Sequence, residues 1–138
     1  MTLSDRLAAV VADLPLRPGL RVIEVGGAPG AAARAVSRRV APDGHVLVLD
    51  RSAKGVDAVR RSCATEIAAG LLSVRTTTVE AAALDPGEQP YDLAFACRVG
   101  VLDGRHPSGY ERAVAALKAM LKPDAPILID TGSPLRRL

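Results

Sequence analysis

Aromatic residues are almost missing from this sequence. Its 138 residues include one Phe (Phe95), two Tyr (Tyr91 and Tyr110) and no Trp. The core must therefore be built of Val, Leu, Ile and Ala, and any ligand ring must be held between aliphatic side chains and backbone. Grooves for nucleic acid combine clustered positive charge with stacking aromatics. Without such platforms nucleic acid is a disfavoured partner, even though Lys and Arg outnumber Asp and Glu by 18 to 15. The arginines are also scattered (Arg34, Arg38, Arg39; Arg60, Arg61; Arg136, Arg137), as solvated helix faces would have them. Cysteine is limited to Cys63 and Cys97, which have neither CxxC spacing nor a His cluster nearby, so neither a zinc site nor a disulfide framework is implied. No apolar stretch approaches a membrane span. The short run 7–12, directly behind Asp5 and Arg6, lacks the layout of a signal peptide. These absences lead us to expect a cytoplasmic protein that meets no membrane.

What is present is apolar and periodic. Hydrophobic residues make up 49% of a chain of one-domain size, enough for a single buried core over residues 1–138. Leu3, Leu7, Val10, Val11 and Leu14 share a helical face that Pro15 ends. Residues 20–25 then read as a buried strand, 26–30 as a tight loop and 31–40 as a helix. A second strand follows at 45–50. A helix over 53–69 carries Val56, Val59, Cys63 and Ile67 on one stripe, with Gly70 placed to end it. Strands are expected at 72–77, 91–97 and 126–130. Ser108 and Glu111 have capping-box spacing, opening a helix with Tyr110, Val114, Leu117 and Leu121 inward. The pieces 81–90 and 98–107 read as the longest loops. Strands alternating with helices predict right-handed βαβ units, hence an α/β fold with a mainly parallel sheet covered on both faces.

Sheets of this kind bind ligands at the carboxyl ends of their strands, near the switch in strand order. At the first strand end stands Val22-Ile23-Glu24-Val25-Gly26-Gly27-Ala28-Pro29-Gly30. Glycines after a buried strand let backbone approach a ligand, although the same residues also make an ordinary strand–helix turn. At the second end Asp50 lies 20 residues past Gly30, where a carboxylate can accept from two ribose hydroxyls. It can equally cap the next helix, a role also open to Ser52. The third end carries Glu80 and Ala81, and the fourth Tyr91-Asp92-Leu93-Ala94-Phe95-Ala96-Cys97-Arg98. Leu117-x-x-x-Leu121-Lys122-Pro123-Asp124-Ala125 precedes the fifth strand.

In this order the segments resemble those of class I S-adenosylmethionine (SAM)-dependent methyltransferases. Glu24-x-Gly26-x-Ala28-x-Gly30 is similar to their E/D-x-G-x-G-x-G loop, with Ala28 replacing the middle glycine, and 91–95 is similar to their F/Y-D-l-v-f segment. Asp124 and Ala125 replace two glycines of the L-K-P-G-G turn. The resemblance covers about residues 16–131. It implies a Rossmann-like doubly wound sheet of five strands, order 3-2-1-4-5. It further implies SAM as cofactor and S-adenosylhomocysteine (SAH) as product. The cofactor residues it implies are Glu24, Gly26, Gly27, Ala28 and Gly30, then Asp50 and Arg51, Glu80 and Ala81, and Cys97 and Arg98. Among them Glu80 would reach the adenine amino group, with the Ala81 amide at a ring nitrogen. Glu80 is also readable as a solvated loop carboxylate.

The acceptor is left open. The sequence has only Lys54, Lys118 and Lys122, so the lysine-based tetrad of RNA 2′-O-methyltransferases has no counterpart, although Ala28-Pro29-Gly30 resembles theirs. Cys97-Arg98-Val99-Gly100 stands where an N/D-P-P-Y motif would be. Arg98, Asp103 and His106 are expected to rim the methyl group. A methyltransferase acting on a small molecule leads, ahead of a non-catalytic SAM-binding regulatory or partner subunit. An NAD-type oxidoreductase is disfavoured by the glycine spacing. Because only Thr131 to Leu138 follow the fifth strand, that strand is expected to be an apolar edge. A second copy in a homodimer or a partner chain would cover it, unless the N-terminal helix folds across.

Overall fold

The first helix starts where the sequence offers a cap: the Ser4 hydroxyl accepts from the Leu7 amide at 3.2 Å, and α1 runs Asp5–Asp13. The computed structural model describes residues 1–131 and 135–138. After α1 come β1 (Arg21–Val25), α2 (Ala31–Val40), β2 (His45–Asp50), α3 (Ala53–Ser62), α4 (Ala64–Ala68) and β3 (Leu72–Thr76). The second half holds β4 (Leu93–Ala96), α5 (Gly100–Asp103), a 3₁₀ turn (Pro107–Gly109), α6 (Tyr110–Met120), β5 (Ile127–Ile129) and β6 (Arg136–Arg137).

The six strands lie in the order β3-β2-β1-β4-β5-β6, all parallel except β6, which runs antiparallel to β5. The expected doubly wound order 3-2-1-4-5 is therefore present with one strand added. Side-chain alternation along each strand builds two cores. Val22, Val46, Val48 and Phe95 face Val10, Val36 and Val59 of α1, α2 and α3. Ile23, Leu47, Leu49, Ala94 and Ile129 face Leu102 of α5 and Ala113, Leu117 and Met120 of α6. Burial on both faces explains why β2 and β4 read as continuous apolar runs. Aliphatic side chains buried as fully as Leu47 each stabilise the fold by about 1.5–3 kcal/mol.

Several expectations are corrected. The fifth strand is not an open edge: Leu128 pairs with Arg137 and Ile129 with Arg136, and the Leu138 amide donates to Ile127. The expected apolar edge is thus covered by the chain's own residues 136–138, and the outermost strand is two exposed arginines. The single helix expected over 53–69 breaks at Cys63 (φ −111°, ψ 23°). The fourth strand is shorter than 91–97, since Tyr91 makes only an isolated bridge to Leu121 and the chain turns at Cys97. Ser108 and Glu111 form no capping box: α6 follows a 3₁₀ turn that includes Ser108, and no side chain caps it. Its buried face is Ala113, Leu117 and Met120; of the expected set Leu117 is on it, Leu121 is buried just past the helix and Val114 packs against the same core, with Ala113 and Met120 in addition. The loop 98–107 contains α5.

Candidate functional site

Strand order reverses between β1 and β4, so the carboxyl ends of these strands part and open a crevice. A cleft of about 520 Å³ lies there, within the range of small-molecule sites. Its floor and walls come from the ends of β1, β2, β3 and β4 together with the segment 99–109.

Gly26 ends β1 with φ +71°, and its amide donates to the Leu49 carbonyl at 2.6 Å, tying the loop to β2. A Cβ at this position would stand 3.1 Å from Val99 Cγ2, so glycine keeps the cleft floor open. Asp50 closes β2 and also lines the cleft. Its Oδ1 accepts from the Ser52 amide at 2.9 Å and its Oδ2 from the Ala28 amide at 3.3 Å. Ser52 is the cap of α3, its hydroxyl accepting from the Gly55 amide at 3.0 Å, and Asp50 is left facing the cleft.

The glycine loop is held from behind by the end of α3. The Ser62 hydroxyl donates to the Pro29 carbonyl and the Cys63 thiol to the Gly30 carbonyl at 3.6 Å. Sequence pattern gave no hint of this latch, because Cys63 sits on an ordinary apolar helix stripe and Ser62 beside it belongs to no motif. We expect Ser62→Ala to lower stability by about 0.5–1.5 kcal/mol, the net worth of one such bond. A urea midpoint identical to wild type at equal slope would show that the latch carries no load.

Of the residues expected at the site, Gly26, Asp50, Arg51, Glu80, Cys97 and Arg98 line the cleft. Glu24, Gly27, Ala28 and Gly30 are not among its lining residues. Ala81 does not line it either, and its amide is engaged by the Thr78 hydroxyl at 3.3 Å. Arg98 and His106 face the cleft while Asp103 does not; Asp103 instead pairs with Arg105, which does. Arg105, Thr77 and Val101 were missed, since no motif marks them. Burial, with the negative charges of Asp130 and Glu24, pushes the Cys97 thiol up to about 11, so it is an uncharged wall at neutral pH.

Glu24 is the least ordinary residue here. It is 3% exposed, and its Oε1 finds no hydrogen-bond partner. A Cβ on Gly27 would stand 2.7 Å from the carboxyl group, so Gly27 makes room for it. Burial raises its pKa from 4.5 to about 8, opposed by the Ala33 amide and reinforced by Asp50. The folded state thus keeps a proton that the unfolded chain releases near 4.5. This contribution to stability is full below that pH and is lost as pH rises toward about 8, by up to about 1.4 kcal/mol per pH unit. Glu24→Gln, which keeps the neutral shape, is expected to flatten this decline in urea titrations between pH 5 and 8. Parallel curves for the two proteins would contradict a protonated Glu24.

A family model described as a methyltransferase domain matches residues 22–124. The chain belongs to the methyltransferase domain family. This family member is 30% identical over 123 residues to the ubiquinone/menaquinone biosynthesis C-methyltransferase UbiE of Bordetella parapertussis, an alignment covering 88% of this chain and 44% of that protein. The same protein of Bordetella avium is 30% identical over 115 residues, 83% of this chain and 41% of that one. The chain therefore spans less than half the length of these relatives. Among solved structures, a SAM-dependent methyltransferase from Thiobacillus denitrificans in complex with SAH superposes with a TM-score of 0.68 at 20% identity, over 91% of this chain and 47% of that one. The [4+2]-cyclase SpnF superposes at 0.71 and 18% identity, over 89% and 42%. These likenesses establish the methyltransferase fold for the chain. No helix among the described residues is long and apolar enough to cross a membrane.

Proposed function

We propose that this methyltransferase-family chain binds SAM in the cleft and transfers its methyl group to a small-molecule acceptor. The observation that carries this reading is Asp50, a cleft-lining carboxylate beside the glycine loop whose capping duty has passed to Ser52. The residues present fit the cofactor. Gly26 leaves bare backbone on the floor, Asp50 offers acceptors for two ribose hydroxyls, and Glu80 offers one for an adenine amino group. Arg51 flanks them, Cys97 and Arg98 line the cleft past the end of β4, and Glu24, Gly27, Ala28, Gly30 and Ala81 belong to the strand end and loops that carry these residues.

When bound, SAM supplies a methyl group on a sulfonium leaving group. The chain's own part is to align and to exclude water: Val25, Val99 and Val101 give the cleft apolar walls next to Gly26. Among the described residues no group of three potential metal ligands is present. The test is to incubate the protein and SAM with fractions of a small-molecule extract and follow SAH by mass spectrometry. SAH accumulating with a particular fraction, and lost in Asp50→Asn, is the expected result. SAM left intact with every fraction, despite tight binding, would instead make the chain a non-catalytic SAM-binding subunit.

A further inference from the structure

We propose that the methyl acceptor carries an oxyanion, a carboxylate or a phosphate monoester, and that the Arg98 guanidinium anchors it; this rests on the SAM reading of the cleft. Arg98 stands at the end of β4 with φ +55°, a left-handed conformation that favours glycine. Its surroundings fix that conformation from both sides. Its amide donates to Asp130 Oδ1 at 3.0 Å, and its carbonyl accepts from Arg105 Nη2 at 2.8 Å. Both clamps are anchored in turn, Asp130 to Arg6 at 3.1 Å and Arg105 to Asp103 at 3.0 Å. A strained backbone held so firmly at a cleft is a common mark of a side chain being aimed.

The charges around it are spent on one another. Arg6 with Asp130 and Arg105 with Asp103 make two neutral pairs. Among the described residues no carboxylate comes within ion-pair distance of the Arg98 guanidinium, which is exposed and lines the cleft. On the β4 side of the cleft this leaves Arg98 as a cation without an ion-pair partner, with His106 on the same rim; Arg51, likewise unpaired, stands apart at the end of β2. Position decides what that cation meets. Asp50 and Glu80 place the cofactor against the ends of β2 and β3, so the end of β4, across the crevice from Gly26, is left to the acceptor. There Arg98 adjoins Val99 and Val101, a pairing that suits an apolar body bearing one oxyanion. A planar guanidinium matches carboxylate and phosphate oxygens two at a time, which a neutral group cannot exploit.

Calorimetry on the SAH-saturated protein with benzoate, phenyl phosphate and benzamide tests this. We expect saturable binding of at least one anion, about tenfold or more tighter than benzamide. Whether benzoate or phenyl phosphate binds better then distinguishes a carboxylate from a phosphate acceptor. Arg98→Gly, which accepts φ +55° without strain, and Arg98→Gln should each remove the preference for anions. Arg98→Lys should keep part of it, and SAH affinity should stay within about threefold of wild type in all three, since the side chain faces the acceptor. Equal binding of anions and benzamide with SAH bound, or an anion preference that survives in Arg98→Gly and Arg98→Gln, overturns the proposal alone. A tenfold or greater loss of SAH affinity in Arg98→Gly also overturns it, by assigning the arginine to the cofactor's own carboxylate. Failure of wild type to bind SAH strikes the SAM reading itself and the proposal with it.

Discussion

Gly30→Val is expected to destabilise the protein by about 3 kcal/mol or more, from steric and backbone causes together. Gly30 has φ +108°, outside the range that side-chain-bearing residues adopt readily and worst for a β-branched one. Holding such a residue there costs about 1–3 kcal/mol. A Cβ would also stand 2.8 Å from Cys63 Sγ and 3.3 Å from Ser62 Oγ, within the latch that secures the loop. Overpacking of this kind adds about 1–3 kcal/mol, against a total stability of about 5–15 kcal/mol. Gly30 presses on α3 and is not among the residues that line the cleft, so the effect is expected in stability. Gly70→Ala is the control, with φ +78° and nothing within 4 Å, so it carries the backbone cost without the clash. Denaturation followed by circular dichroism should rank Gly30→Val well below Gly70→Ala. Equal midpoints would show that the contact with Cys63 yields at no cost.

Asp50→Asn is expected to weaken SAH binding by about tenfold for one lost charge-assisted bond, and on the order of a hundredfold for two. Asn keeps one oxygen to accept from the Ser52 or Ala28 amide, so the loop should hold its place and the loss should report on the ligand. Asp50→Ala removes both acceptors and should show an equal or larger loss together with a small drop in stability. Calorimetric dissociation constants at fixed salt separate the two. If both variants bind SAH as wild type does, with unchanged circular dichroism, Asp50 is only a turn residue.

The parts of this fold that were legible share one physical property. β1, β2 and β4 are buried on both faces, so they stand out as apolar runs wherever they lie, and the glycines between strand and helix punctuate them. β6 had no such signal. Arg136 and Arg137 pair with β5 through their backbone, and two exposed arginines look like a solvated tail in any sequence. The break at Cys63 was hidden for a related reason, since the apolar stripe of α3 and α4 continues across it. At the site, Asp50 was legible as a cleft residue from its spacing to the glycine loop, whereas the cap of α3 by Ser52 depended on where that hydroxyl points. The buried carboxyl of Glu24 was visible only as a motif letter; its isolation requires the packing of Gly27 and Ala33. Arg98 sat in the expected place, but nothing in a sequence tells that an arginine adopts positive φ or that two ion pairs hold it there.

Calorimetric titration of the protein with SAH and, separately, with NAD distinguishes a SAM cleft from a dinucleotide site. One saturable SAH site per chain is expected, weakened by Asp50→Asn, with no binding of NAD at comparable concentration. Absence of SAH binding by a folded protein, or tighter binding of NAD, would contradict the SAM cleft.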